Sequence, residues 1–243
     1  MKKIISMLLT FVLALTCLTA LVACGGGDDD EGAAPTIYEI AKESKPTKIV
    51  TLVDFTDAKG EDLDGRYVME INGEDSIFEY EYKRYRTPEE GVADNSDEPV
   101  KTVSGKVYYK DHLYLSGEGD EWEASTATGV TAAFDLKEEF LTSPTVSEDG
   151  CTLTATLTAE NANKVFGSDL KVEGTANLTV TVVGTSLTGV TVSYTTVSGA
   201  TVVIRTSYSY DVVELVFPEA CVENDTSLSV DERHSASLHR ESL

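Results

Sequence analysis

The stretch Arg66–Arg86, RYVMEINGEDSIFEYEYKRYR, decides the fold. In its second half Phe78, Tyr80 and Tyr82 fall on one face and Glu79, Glu81 and Lys83 on the other. That is the two-residue period of a half-buried strand. Asn72-Gly73 in the middle is a strong hairpin signal. Arg66–Ile71 and Ser76–Arg86 are therefore expected as antiparallel neighbours.

Working outward, the same pattern recurs. Lys48–Phe55 (KIVTLVDF) is rich in β-branched residues. Val100–Tyr109 and His112–Leu115 read as a hairpin across Lys110-Asp111. Cys151–Thr158, Leu170–Gly174, Ala176–Val183, Leu187–Thr196 and Thr201–Tyr210 follow with short, glycine-containing turns. Strands joined by hairpin-length turns make an antiparallel sheet. Helices are few and short. Ile37, Ile40 and Ala41 form one apolar stripe that Pro46 ends. Asp135–Leu141 (DLKEEFL) places Leu136 and Phe140 at i, i+4 ahead of Pro144. Glu160–Phe166 is closed by Gly167. The expected class is α+β, an antiparallel sheet with helices segregated to one face.

The N-terminus carries an address. Lys2 and Lys3 precede an apolar run to Val22, and Leu21-Val22-Ala23-Cys24 ends it. A charged start, apolar centre and small residue at the cut are the layout of a secretory signal peptide. The run is also about long enough for an uncut membrane anchor. Gly25-Gly26-Gly27-Asp28-Asp29-Asp30-Glu31-Gly32 behind it reads as a flexible tether. The organisation expected is signal peptide 1–23, acidic tether 24–36, folded domain 37–221 and a Ser-rich, charged tail 222–243 that is too poor in apolar residues to fold.

The formal net charge is −23, from 42 acidic and 19 basic residues. Such a surface repels nucleic acid and anionic headgroups, and argues against nucleic acid as a partner. The acid is concentrated early: Asp28–Pro99 holds 21 Asp and Glu against 8 Lys and Arg, and Cys151–Pro218 holds 5 against 3. Cutting before Cys24 would leave Cys151 and Cys221 as the domain's two cysteines. A disulfide between them and a pair of thiols are both open readings. No C-x-x-C occurs, so no metal or redox site is expected.

Catalytic motifs fail in turn. Of the three histidines, His234 and His239 lie in the tail and His112 at a hairpin tip. That leaves no Ser-His-Asp set and no two-histidine metal motif. Read from Asp54, an EF-hand loop needs Gly at position six and Glu at twelve, where this chain has Lys59 and Gly65. Paired carboxylates for glycoside hydrolysis are not singled out. No cofactor is implied, and the chain reads as a non-enzyme.

The aromatic residues are the better clue. Phe78, Tyr80, Tyr82, Tyr108, Tyr114, Trp122 and Phe140 fall on strands, hairpins and a short helix. They are either a core under the helices or the lining of a concave sheet face whose cover is incomplete, a cavity for an acyl chain or similar ligand. The cavity reading assigns Phe78, Tyr80, Tyr82, Tyr108, Trp122, Leu136 and Phe140 to the lining.

Two resemblances follow from these residues. The Leu-x-Ala-Cys ending resembles the lipobox of bacterial lipoproteins, which implies acylation of Cys24 and a lipid-anchored protein facing outside the cell membrane. Gly105-Lys106-Val107-Tyr108-Tyr109-Lys110-Asp111-His112-Leu113-Tyr114 followed by Trp122-Glu123 resembles the strand, turn, strand and Trp segment of LolA-like and LppX/LprG-like envelope lipoproteins. The order of elements from Ile37 to Glu219 is similar too. That resemblance implies a strongly curved, unclosed antiparallel barrel with helices over its concave face, several members carrying lipids or lipidated proteins in between. The expectation is a monomeric, membrane-anchored lipoprotein that binds or transfers a lipid or other apolar ligand. The alternative is a surface scaffold or interaction lipoprotein with a filled core.

Overall fold

The computed structural model describes residues 35–86, 100–110, 113–118, 121–125, 134, 136–167 and 169–217, with backbone alone for 113–118 and 121–125. Among these residues eleven strands form one antiparallel sheet. They are β1 (Lys48–Thr56), β2 (Gly65–Asn72), β3 (Asp75–Tyr85), β4 (Val100–Lys110), β5 (Leu113–Glu118), β6 (Glu121–Ser125), β7 (Thr142–Val146), β8 (Thr152–Thr158), β9 (Thr175–Val183), β10 (Ser186–Thr195) and β11 (Thr201–Ser209). Their order is β6-β5-β4-β3-β2-β1-β11-β10-β9-β8-β7. One long-range pairing, β1 with β11, joins two hairpin-built halves. The curved sheet is unclosed, with β6 and β7 as its edges.

Among the described residues two α-helices accompany the sheet, α1 (Ile37–Glu43) and α2 (Ala159–Phe166). In α1 the Thr36 side chain accepts from the Glu39 N–H, and the Glu39 carboxylate accepts from the Thr36 N–H at 2.7 Å. This reciprocal cap satisfies two donors that a short helix otherwise leaves open. At its other end Ser44 donates to Ile40 O and accepts from the Leu187 N–H at 2.9 Å, pinning α1 onto β10. Thr158 caps α2, and Gly167 ends it in the left-handed region at φ 59°.

Alternation along each strand sends one set of side chains inward beneath the helices. Ile49, Thr51 and Val53, Tyr67 and Met69, Phe78, Leu153 and Leu157, Leu178 and Val180, Val190 and Val192, and Val202, Ile204 and Tyr208 are all buried. With Ile37, Ile40, Ala41, Ala162, Val165 and Phe166 from the helices they make one core. Helices α1 and α2 pack against β8, β9 and β10. The opposite face of β8–β11 is largely Thr and Ser, which suits a solvated pleated surface.

Four expectations need correction. The β2–β3 turn uses Gly73-Glu74, because Asn72 pairs with Asp75. Gly73 takes φ 64°, which glycine adopts without strain. Residues 136–141 form only a 3-10 turn at Glu138–Phe140. The two buried residues, Phe134 and Leu136, are two apart, the period of an extended chain. Leu170–Gly174 is not a strand: Lys171 sits at φ 55°, and only an isolated bridge, Val172 to Thr196, remains. Finally, Thr142–Val146 is an unexpected edge strand. It carries Pro144, a register shift between Thr142 and Thr145, and wholly exposed side chains. Proline and bulges are the usual protection of an edge.

Candidate functional site

The first strand pairs hold the site. In register, Tyr82 faces Gly65 and Val103, Tyr80 faces Tyr67 and Gly105, and Phe78 faces Met69 and Val107. These side chains share the concave face. Tyr67 and Phe78 stack with ring centroids 6.3 Å apart, Tyr67 and Tyr82 at 6.4 Å, Phe78 and Tyr80 at 5.9 Å, and Tyr80 and Tyr82 at 6.0 Å. Spacings of this size suit offset aromatic pairs, each contributing about 0.5–1.5 kcal/mol beyond area burial.

Two glycines let the rings lie down on the sheet. A Cβ at Gly105 would stand 2.6 Å from Tyr80 Cζ, and one at Gly65 would stand 2.8 Å from Tyr67 Cε2. Tyr67 and Phe78 are buried at 1 % and 4 % exposure and belong to the core. Tyr80, Tyr82, Val103 and Val107 are half-buried. The strip is therefore a layer of core aromatics continuing into a partly open aromatic surface.

The hydroxyls behave as their depth dictates. Burial pushes Tyr67 well above the ordinary tyrosine value, with the Tyr82 hydroxyl adding to it, and burial raises Tyr82 too. Tyr208, deeper in the same face, is also raised by burial, and its hydroxyl has no hydrogen-bond partner among the described residues. Close by, Thr51 and Thr206 satisfy each other at 3.1 Å.

Tyr108 does not line this strip. It pairs with Ile77 on the outward face, where Leu215 and Phe217 cover both. Tyr108 and Phe217 have ring centroids 6.0 Å apart. The chain after β11 runs back to reach them, held by Thr47 Oγ1 donating to Asp211 O and Asn72 Nδ2 donating to Val213 O. The sequence held a signal for this. In β4, Val103 and Val107 alternate with Thr102, Ser104, Lys106 and Tyr108, so Tyr108 shares the polar parity.

The other expected site residues are spread out. Leu136 is buried in the main core and Phe140 is half-buried against it. Phe140 lies by α2: its carbonyl accepts from Asn161 Nδ2 at 2.9 Å, and Lys137 and Lys164 stand over its ring. Of Trp122 only the backbone is described, and Cys24 and Cys221 lie outside the described residues. Cys151 has no disulfide partner among the described residues, and its thiol donates to Asp149 O at 3.4 Å.

The acidic turn after β1 is structural. Asp57 Oδ1 accepts from the Lys59 and Glu61 N–H groups, and Oδ2 accepts from the Tyr85 hydroxyl. That hydroxyl holds Asp57 below the usual carboxylate range. Among the described residues no group of three His, Cys, Asp or Glu is placed to hold a metal. Two depressions, about 250 and 170 Å³, lie on the outward face of β2–β4 and are lined chiefly by Arg66, Glu79, Glu81 and Lys106 or by Glu70, Ile77, Tyr108 and Glu214. Glu79 and Lys106 there form an ion pair. Their polar, open lining makes them poor apolar sites.

No family model and no curated protein matches the chain. The crystal structure of a LolA superfamily protein from Nitrosomonas europaea is similar to it at 11% identity and a TM-score of 0.30, over 75% of this chain and 96% of that one. A score so low assigns no role to any residue here.

Proposed function

We propose that the protein is a lipoprotein anchored through Cys24 on the outer side of the cell membrane, and that it binds or passes on an apolar ligand without catalysing a reaction. The observation that carries this reading is the half-buried strip of Tyr80, Tyr82 and Val107, packed against the core of a strongly acidic chain, with half-buried Val103 paired beside Tyr82. Open apolar surface beside a core is costly in water at about 25 cal/mol per Å², so its retention favours an occupant. The unclosed sheet with helices on its concave face is also the arrangement implied by the LolA-like resemblance. The tether behind Cys24 would hold an acidic domain off an anionic membrane and within reach of it.

The test is mass spectrometry of organic extracts from purified protein, with Tyr82→Ala as control. A co-purifying lipid that is lost in the variant supports the reading; absence of any lipid from the wild type removes it. Incorporation of an acyl label that disappears in Cys24→Ser tests the anchor separately. A second reading, an interaction lipoprotein with a filled core, draws on the close packing under the helices. Leu153, Leu157, Ala162, Val165 and Ala176 are each fully enclosed there.

A further inference from the structure

Charge is distributed over this sheet in a way that composition conceals. The inward register positions of β1–β4 and β8–β11 carry no Asp or Glu, in a chain that has 42 of them. Two of those positions are charged, Arg84 and Lys101, and both are cations. They face each other across β3 and β4. The next rungs along the same face are Tyr82 with Val103, Tyr80 with Gly105, and Phe78 with Val107. At about 3.4 Å per residue, the line from Arg84 to Phe78 is about 20 Å long. It is one strand pair wide, about 4.8 Å between neighbours, the width of a single extended hydrocarbon chain.

Like charges directly opposite on one face of a sheet repel and destabilise the pair. Here that arrangement stands at the end of an aromatic strip. Arg84 Nη1 donates to the Tyr85 carbonyl at 3.1 Å. Both cations also have interactions of their own within the protein. A planar anion can accept from an Arg fork and a neighbouring ammonium together, and such charge-assisted bonds are the strong ones.

We infer that the strip takes a single-chain amphiphile with an anionic head, a long-chain carboxylate, its head at Arg84 and Lys101 and its chain across Tyr82, Val103, Tyr80 and Val107. This rests on the apolar-ligand reading above and adds the headgroup, the polarity and the number of chains. The outward face differs: it mixes both signs, and Asp54, Glu70 and Glu79 are ion-paired there with Arg205, Lys48 and Lys106.

The experiment uses residues 24–243 with Cys24→Ser, which retains the whole described fold. An intrinsically fluorescent polyene fatty acid, its methyl ester and the amine of the same chain are titrated against this protein and against Arg84→Gln/Lys101→Gln. The carboxylate is expected to bind at least tenfold tighter than the ester. The double substitution should remove that preference, leave ester binding unchanged and, by relieving the repulsion, leave the urea midpoint no lower. Equal binding of acid and ester, unaffected by the substitutions, overturns the headgroup assignment while the apolar-ligand reading stands. Tightest binding of the amine overturns it also. Binding of none of the three removes both readings together.

Discussion

Replacing Gly105 by Ala should change the sign of its effect according to what stands at position 80. In the native protein a Cβ at Gly105 lies 2.6 Å from Tyr80 Cζ. Carbon atoms rest at about 3.5–4.0 Å, so the ring must retreat by about 1 Å. Tyr80 is held by Phe78 and Tyr82 at centroid distances of 5.9 and 6.0 Å. Losing part of two aromatic contacts costs about 1–2 kcal/mol. The smaller conformational freedom of Ala in the unfolded chain offsets about 0.5–1 kcal/mol. Gly105→Ala should therefore destabilise the wild type by about 0.5–1 kcal/mol, the balance of those two effects. In a Tyr80→Ala background the obstruction is absent, and the same change should stabilise by about 0.5 kcal/mol. The coupling, about 1–1.5 kcal/mol, is within reach of a double-mutant cycle in urea followed by far-UV circular dichroism. Effects of equal sign and size in the two backgrounds would refute the claim that the glycine exists to seat the ring.

Leu157→Ala should cost about 3–4 kcal/mol, because Leu157 is wholly enclosed and its neighbours on that face are tightly packed; a loss under about 1 kcal/mol in urea unfolding would contradict the packing. Tyr82→Ala should abolish binding of a fluorescent fatty acid and Tyr108→Ala should leave it intact, since the two rings lie on opposite faces; equal losses in a titration would contradict that placement. Burial raises Tyr67, Tyr194 and Tyr208 above the ordinary value of 10.0. Above that pH the unfolded chain binds fewer protons than the folded one, so the contribution of these tyrosines is flat below pH 10 and stability falls as pH rises beyond it. Phenolate absorbance should show these three ionising only as the protein unfolds; all 11 tyrosines titrating near pH 10 with an unchanged circular dichroism spectrum would refute it.

Strand alternation made much of this fold legible. A two-residue period is local, so KIVTLVDF and SIFEYEYKRYR announce both a strand and its two faces without reference to anything distant. The aromatic strip was visible for the same reason. Local pattern failed where one turn of chain was asked to choose. Leu136 and Phe140 match a helical spacing, yet a stretch that short is marginal as an isolated helix. The core took Phe134 and Leu136 instead, two residues apart. At Thr142–Val146 no apolar alternation exists to be read, because an exposed edge strand buries neither face.

The sequence by itself determined most of the strands, their antiparallel succession, the apolar stripe of the first helix and the clustering of acidic residues. Tertiary structure decided how the strands are phased against one another. Face assignment within a strand is covalent, but agreement between strands depends on register, and register depends on turns and on distant partners. So the Gly73-Glu74 turn and the β3–β4 pairing, not composition, separate Tyr82 from Tyr108 by the thickness of the sheet. The same phasing clears the concave face of carboxylates and sets Arg84 beside Lys101, 17 residues apart in the chain and adjacent in the sheet. Pairing of β1 with β11 then closes the two halves around one core, and no local pattern could specify a contact across more than 150 residues.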